Sequence, residues 1–259
     1  MTPDLLELAE NPAFYTPLTP RMERVLDERF CLLVFVGRSY AEAHRLRFSP
    51  EGVENGVADV RRAALAHRCG SVLWWVGEEA TPRDLGERLT ALGLAPKADT
   101  PLLTSMVLTH EPSGRSVVEA RAVESAAEYL AAHEVDWECW NAPEERRNAL
   151  REEIDVRWEE MRGSEHLRTY IAFLNGDAVG FGRAIFGDGA AYLMGGSTLP
   201  HARGRGVYRA LVHARWRDAQ VRGVSTLFVQ AVEGSRPILE SLGFRPLGSI
   251  RLFVDDLRK

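Results

Sequence analysis

The chain has 259 residues, a hydrophobic content of 45% and a formal net charge of −5, values typical of a globular protein of one large or two ordinary domains. The acidic balance argues against nucleic-acid and anionic-membrane partners, because these need a large basic field. Three cysteines without CxxC spacing indicate a reducing compartment and predict neither disulfides nor a metal site. Since there is no signal-peptide pattern and no apolar run near the ~20 residues of a membrane span, we expect a cytoplasmic protein. A homodimer is compatible with these properties.

The first change of pattern along the chain is at Thr109–Ser116 (THEPSGRS), where Pro, Gly and Ser cluster between two apolar segments. Such clusters are typical of linkers. We therefore predict two domains, one over residues 1–112 and one over residues 116–259.

The second domain begins with a predicted strand, two helices and an antiparallel meander of three strands. Hairpin dipeptides, Asn175-Gly176 and Asp188-Gly189, separate the meander strands. The second helix has its proline near the start, where the missing N–H is tolerated. In chain order these elements are the strand Val117–Val123, the helices Glu124–Ala132 and Ala142 or Pro143 to Met161, and the strands Tyr170–Leu174, Ala178–Phe186 and Ala190–Thr198.

Two glycines alternate with arginines at Arg203-Gly204-Arg205-Gly206, directly after the meander. Apolar residues with helical spacing follow and predict a helix from Val207 that ends near Gly223. The remaining predicted elements are the strand Thr226–Ala231, the short helix Ser235–Leu242 and the final strand Phe244–Val254.

The Arg-Gly turn has the composition of an anion site. A helix N-terminus presents unpaired N–H groups and partial positive charge, so a pyrophosphate binds there without any particular side chain. Gly204 and Gly206 let the backbone approach the phosphates closely, while Arg203 and Arg205 add charge. A basic surface turn before a surface helix is the alternative interpretation.

The order of elements around this turn resembles the GNAT superfamily of acyl-CoA-dependent N-acetyltransferases over about Val117–Val254. The family signature, Gln/Arg-x-x-Gly-x-Gly/Ala, is similar to Arg203–Tyr208, where Tyr208 replaces the usual small residue, and an LGF element follows at Leu242–Phe244. The resemblance implies an α/β (α+β) fold with a mixed, largely antiparallel sheet flanked by helices. It also implies acetyl-CoA as the co-substrate, with the pyrophosphate held by Arg203, Gly204, Arg205, Gly206, Val207 and Tyr208.

The resemblance places further residues near the acyl group. Ser197, Thr198 and Leu199 match the strand whose free backbone groups bind the pantetheine arm and polarise the thioester carbonyl. The preceding glycines, Gly195-Gly196, predict loosened pairing or a bulge, with a plain turn as the alternative. Many family members place a tyrosine acid four residues before the glycine of LGF, where this chain has Leu239.

Two residues are candidates for catalysis. Acetyl transfer requires the amine to lose a proton, and Glu233, just past a strand and near the expected acetyl group, is the candidate base. Its alternative role is that of a solvated loop acid. Ser235 is the candidate donor to the departing sulfur, with helix N-cap as its alternative role. His201 is interpreted as a loop histidine.

The resemblance implies that Val135–Trp140 forms the wall of the acceptor site for a small amine or an amino terminus. Asp136 and Glu138 supply negative charge, and Trp137 and Trp140 supply aromatic faces, a combination that suits a cationic or aromatic amine. The alternative is a hydrophobic plug under the helices, with the acids facing water.

The first half of the chain resembles the second at low identity. Leu89-x-x-Leu92-Gly93-Leu94 parallels Leu239-x-x-Leu242-Gly243-Phe244, and Gly70 with Val72–Val76 parallels Gly223 with Ser225–Val229 at an offset of 153. This offset places the Arg-Gly motif on Pro50–Asn55 (PEGVEN), which has two acids and no arginine. We therefore predict GNAT-like domains in tandem, an arrangement similar to mycothiol synthase-like proteins, in which the first domain keeps the scaffold without the cofactor.

The leading functional prediction is direct acetyl transfer from acetyl-CoA to a small amine in a ternary complex. A non-catalytic acyl-CoA-binding or sensing protein is the alternative, which the missing tyrosine slightly favours. A hydrolase or a dehydrogenase is not indicated, because the chain has neither G-x-S-x-G nor a nucleotide fingerprint at a first strand.

Overall fold

The structure is a computed structural model that describes residues 4–258. Its helices are α1 (Leu5–Glu10), α2 (Pro12–Tyr15), α3 (Val53–Ala66), α4 (Leu85–Ala91), α5 (Ala126–Cys139), α6 (Glu144–Glu152), α7 (Ile154–Arg162), α8 (Val207–Val221) and α9 (Arg236–Ser241). Its strands are β1 (Met22–Leu26), β2 (Cys31–Phe35), β3 (Tyr40–His44), β4 (Ser71–Val76), β5 (Ala95–Pro96), β6 (Leu102–Leu108), β7 (Glu119–Ala122), β8 (Leu167–Leu174), β9 (Asp177–Phe186), β10 (Ala191–Thr198), β11 (Leu227–Ala231) and β12 (Arg245–Asp256). None of the helices within residues 4–258 has the length and apolar character needed to cross a bilayer.

The described chain forms two compact units. The N-terminal unit contains the chain up to Val107, the segment Gln230–Pro237 and the chain from Arg245 onward, and the C-terminal unit contains Leu108–Val229 and Ile238–Phe244. These units differ from the predicted domains, 1–112 and 116–259, because β12 pairs along its length with β4 and β6 of the N-terminal unit. Which strand a terminal strand pairs with depends on long-range contacts that the local pattern does not encode.

The N-terminal unit has the strand order β1-β2-β3-β4-β12-β6, with β5 also paired to β12. Its pairs are antiparallel except β3 with β4, which are parallel. Side chains alternate between the two faces of the sheet. One face packs on α3 and α4 in the main core of this unit, and the face bearing Cys31 and Leu33 packs on Ala13 and Phe14 of α2.

The C-terminal unit has the strand order β7-β8-β9-β10-β11, antiparallel except for the parallel pair β10–β11. Helix α8 packs against β7 to β10, while on the other face α5 packs against β8, β9 and β10 and α7 packs against β8. Alternate residues of β9 face the two helical layers on opposite sides of the sheet. Gly180 and Gly182 face α8, whereas the ring of Phe181 contacts His133 of α5.

Most predicted elements of the second half are confirmed, and the main errors concern its first two helices. The meander is β8, β9 and β10, and its turns use left-handed backbone at Asn175, Gly176 and Gly189. The prediction that the first helix ends at Ala132 is wrong, because helix-forming residues continue to Cys139; Trp140 is the C-cap, and the left-handed Asn141, with φ 49°, follows it. The predicted second helix is two helices, α6 and α7, joined at Glu153.

Three glycines let α8 lie close to its sheet. A Cβ on Gly180 would be 2.6 Å from the Val207 side chain, and one on Gly196 would be 2.6 Å from the Tyr208 ring. A Cβ on Gly182 would be 3.2 Å from the Arg215 guanidinium. Because no side chain intervenes, the N-terminal turns of α8 are held directly against β9 and β10.

Candidate functional site

The Arg-Gly turn joins β10 to α8 within the C-terminal unit. Gly204 and Gly206 have left-handed backbone, with φ of 74° and 84°, and Gly206 is the N-cap residue of α8. No side chain hydrogen-bonds to this helix end as a cap. The first N–H groups of α8 are therefore available to an external acceptor, which is the requirement for an anion site.

Space and charge around the turn fit a diphosphate. A Cβ on Gly204 would meet no atom within 4 Å, so a ligand can approach the backbone there. Arg203 and Arg205 are exposed, and Arg203 Nε donates to the Thr198 carbonyl at 3.3 Å. The Ser116 hydroxyl donates to the Gly206 carbonyl at 3.1 Å and thereby fixes the turn. The turn therefore combines free donors, room and two cations, the features that binding of a phosphate requires.

Strand β10 has a bulge just before the turn. Its register with β9 shifts between Met194 and Gly196, and Gly195 has φ 63°. The parallel pairing with β11 covers only Ala191–Leu193 of the described strand. Of the two expectations for this Gly-Gly pair, the bulge is confirmed and the plain turn is wrong. The last residues of β10 thus have one edge free of strand pairing, where backbone groups can meet a ligand.

The three predicted pantetheine residues differ in their surroundings. The buried Ser197 donates from Oγ to Asp136 Oδ1 at 2.6 Å. Thr198 has a buried hydroxyl without a partner among the described residues. Leu199 is buried, and its N–H donates to the Val179 carbonyl at 3.0 Å.

Arg215 of α8 is a fully buried arginine that holds the β10 bulge. Its Nη1 donates to the carbonyls of Gly195 at 3.2 Å and Arg183 at 3.4 Å, and its Nε donates to the Leu211 carbonyl at 3.0 Å. Burial lowers the pKa of its guanidinium from the ordinary value. Arg215 was not among the predicted site residues, although it continues the apolar face of Val207 and Leu211 at helical spacing. A charged residue on that face was the signal that could have identified it.

Tyr208 lies on the side of α8 that faces the sheet. Its ring lies against Gly196, and the Arg215 guanidinium carbon is 5.9 Å from the ring centroid. Burial raises the pKa of the phenol. The large residue at this signature position therefore packs between helix and strand, and backbone donation at the helix start does not depend on it.

The predicted acceptor wall is helical, because these residues lie in the last turn of α5 or directly after it. Asp136 is the member that meets another predicted site residue, through the hydrogen bond from Ser197. Trp137 is buried and its ring stacks on His133 at 5.7 Å, as the plug alternative requires. Glu138 is exposed, and Trp140 is 68% exposed.

The two catalytic candidates lie outside the unit that carries the motif. Glu233 and Ser235 belong to Gln230–Pro237, which groups with the N-terminal unit. The Ser235 hydroxyl donates to the Val232 carbonyl at 3.0 Å. Leu239, at the position of the family tyrosine, is fully buried. Their catalytic roles stay predictions.

The N-terminal unit has a helix, α3, at the position that corresponds to α8, but the backbone at its start differs from that of the Arg-Gly turn. Pro50–Asn55 lies at the start of α3, whose N-cap residue Gly52 has φ −95° instead of a left-handed value. Glu51 and Glu54 are exposed at this helix start. The LGF element is repeated with the same hydrogen bond after the helix. The Leu94 N–H donates to the Leu89 carbonyl at 3.0 Å, and the Phe244 N–H donates to the Leu239 carbonyl at 3.1 Å.

The predicted match of Gly70 with Gly223 is wrong. Helix α8 is followed by Gly223 with φ 72°, whereas the left-handed residue after α3 is Arg68, with φ 60°. The residue that reverses the chain after a helix is thus an arginine in the first half, and identity of residue type was a misleading guide to the alignment.

Residues 129–244 match the model of the acetyltransferase (GNAT) family. No curated protein matches the sequence.

Solved structures are similar to nearly the whole chain. A GCN5-related N-acetyltransferase from Kribbella flavida is 18% identical with a TM-score of 0.68, and the match covers 90% of this chain and 89% of that one. A tandem GNAT protein from the clavulanic acid biosynthesis pathway is 17% identical with a TM-score of 0.60, covering 93% and 85%. A functionally unknown conserved protein from Staphylococcus epidermidis is 11% identical with a TM-score of 0.65, covering 91% and 94%. At these identities the likeness shows the fold alone.

Proposed function

The chain contains a GNAT-family domain over residues 129–244 within a tandem GNAT fold, and we propose that it is an N-acetyltransferase that transfers acetyl from acetyl-CoA to a small amine or an amino terminus. The observation that carries this proposal is the bulge of β10 next to the glycine-capped start of α8. A pyrophosphate site and an unpaired strand edge in one unit suit a long phosphorylated thioester.

The residues of the C-terminal unit suit the two ends of such a co-substrate. The turn Arg203–Gly206 with Val207 and Tyr208 would hold the pyrophosphate, and Ser197–Leu199 would hold the pantetheine arm. When bound, coenzyme A supplies an acetyl thioester whose carbonyl carbon is the electrophile. Backbone N–H groups at the edge of β10 that has no strand partner would stabilise negative charge on an acyl oxygen, the task of an oxyanion hole.

Asp136 supports recognition of the amine. Its carboxylate accepts one hydrogen bond from Ser197 and keeps lone pairs for an ammonium group. The amine attacks only after it loses a proton, and Glu233 stays the proposed base for that step. Ser235 stays the proposed donor to the thiolate. Of the predicted wall residues, Glu138 and Trp140 would contact only a large acceptor, because both are exposed.

We propose that each chain binds one coenzyme A. The N-terminal unit places Glu51 and Glu54 at the helix start where the C-terminal unit has Arg203 and Arg205. Acidic side chains there repel a pyrophosphate, and the N-cap of α3 lacks the left-handed glycine backbone found at Gly206.

The test is calorimetric titration with acetyl-CoA, followed by measurement of thiol release with a panel of amines. We expect one site per chain and release that depends on an amine. Binding without release for any amine would favour the acyl-CoA-binding alternative, which the buried Leu239 supports. Two sites per chain would refute the loss of the N-terminal site, and absence of binding would refute the assignment.

A pair of matched double variants locates the binding site. Arg203→Glu with Gly206→Val reverses charge and adds a side chain at the start of α8, so we expect loss of acetyl-CoA binding. Arg162→Glu with Gly189→Val makes the same changes at an exposed arginine and a left-handed glycine elsewhere in this unit. This control should bind normally. Equal affinities in the two double variants would contradict the pyrophosphate assignment.

A further inference from the structure

Two neighbouring side chains on the α5 face of the C-terminal sheet have buried polar atoms without hydrogen-bond partners. Thr169 of β8 and Arg183 of β9 are directly opposite in the antiparallel register, so their side chains lie on the same face. Thr169 is 1% exposed, and within residues 4–258 neither its hydroxyl nor the buried Nε of Arg183 has a hydrogen-bond partner. Buried donors are normally paired, so this position indicates a site for an external acceptor.

The Arg183 guanidinium is a cation without an acidic partner among residues 4–258. Its side chain is half-buried, and its central carbon lies 5.5 Å from the centroid of the Phe181 ring. Other arginines next to α5 are neutralised by that helix, since Arg121 pairs with Glu128 and Arg151 pairs with Glu134. Arg183 therefore retains its charge for a ligand.

This pair lies beside the proposed amine position. Phe181 of β9 is opposite Ser197 of β10, and Ser197 donates to Asp136. Arg183 is two residues further along β9 on the same face, a step of about 7 Å. The ring of His133 covers the Phe181 ring at 5.2 Å. A carboxylate and a guanidinium thus flank one aromatic ring, as recognition of a molecule with both charges requires.

We propose that Arg183 and Thr169 bind a carboxylate of the acceptor, so that the substrates are amines that also carry a carboxylate, as amino acids do. The inference rests on the proposed acetyltransferase function. The guanidinium fork matches the two oxygens of a carboxylate, and the threonine hydroxyl adds a donor. Asp136 holds the ammonium at the other end. A single guanidinium balances a carboxylate, whereas it would leave a phosphate dianion incompletely neutralised.

The test compares acetylation of three amino acids, glycine, phenylalanine and lysine, with acetylation of their amides. The acid-to-amide ratio of kcat/KM is measured for the wild type and for each variant. Dividing one ratio by the other cancels the difference in basicity between the amines. We expect the ratio to fall about 10- to 100-fold in Arg183→Gln, the range for a lost charge-assisted pair, and less in Thr169→Val. Arg162→Gln, which removes an exposed cation paired with Glu159, should leave the ratio unchanged.

Each other outcome is decisive. Transfer with the same ratio in the wild type and Arg183→Gln overturns the carboxylate site and leaves the transferase intact. A preference for O-phosphoethanolamine over ethanolamine that Arg183→Gln abolishes overturns the choice of carboxylate. Binding of acetyl-CoA without transfer to any amine overturns the transferase and this inference together. If Arg183→Gln does not fold, an unchanged ratio in Thr169→Val refutes the site.

Discussion

Replacement of Gly206 by alanine tests whether the start of α8 holds the cofactor. Gly206 has φ 84°, and an L residue in the left-handed region costs roughly 1–2 kcal/mol. The new Cβ would lie 3.2 Å from the Ser116 Oγ, which donates to the Gly206 carbonyl. Displacing that hydroxyl weakens a hydrogen bond worth about 0.5–1.5 kcal/mol. We therefore expect Gly206→Ala to lower the free energy of unfolding by about 2–3 kcal/mol.

Gly189→Ala is the matched control for backbone strain. Gly189 has φ 81°, and a Cβ there would meet no atom within 4 Å, so the loss should be only about 1–2 kcal/mol. Denaturant unfolding measures both losses, and calorimetry measures acetyl-CoA affinity. We expect at least a tenfold weaker Kd for Gly206→Ala, about 1.4 kcal/mol, and an unchanged Kd for Gly189→Ala. A destabilised Gly206→Ala that binds acetyl-CoA as the wild type does would refute the reasoning.

Three further predictions address other parts of the C-terminal unit. Arg215→Met removes a buried charge but leaves the bulge carbonyl unpaired, so we expect the free energy of unfolding to change by less than about 2 kcal/mol. The kcat should nevertheless fall at least about tenfold, and an unchanged kcat would show that the bulge does not need this residue. Asp136→Asn should raise the acceptor KM on the order of tenfold, whereas the exposed Glu138→Gln should leave it unchanged, and equal effects on steady-state kinetics would contradict this. Arg121 holds the pKa of Glu128 below its ordinary 4.5, so this pair stabilises the fold above that pH, and the contribution is lost as pH falls through the lowered value. Glu128→Gln should flatten this acidic part of a stability–pH curve measured by denaturant unfolding, and an unaltered curve at acidic pH would count against the pair.

Local chemistry was enough to predict most of the element order in the second half of the chain and the position of the Arg-Gly turn. Asn175-Gly176 and Gly189 favour left-handed turns whatever surrounds them, so the meander was predictable from the chain. Gly204 and Gly206 indicated a helix start with open N–H groups for the same reason. The acids of Pro50–Asn55 distinguished the two halves without any tertiary information.

Contacts between residues distant in sequence decided the rest. Asp136 faces Ser197, and Thr169 faces Arg183, only because separate strands and a helix meet in one register. Arg215 can hold the β10 bulge only because the fold brings it to the carbonyl of Gly195, 20 residues earlier in the chain. The pairing of β12 in the N-terminal unit likewise depends on which strand edges are free once both halves have folded. Backbone preference acts over a few residues, whereas side-chain burial and strand pairing are set by the assembled fold, and only the tertiary structure therefore determines which polar groups share a site.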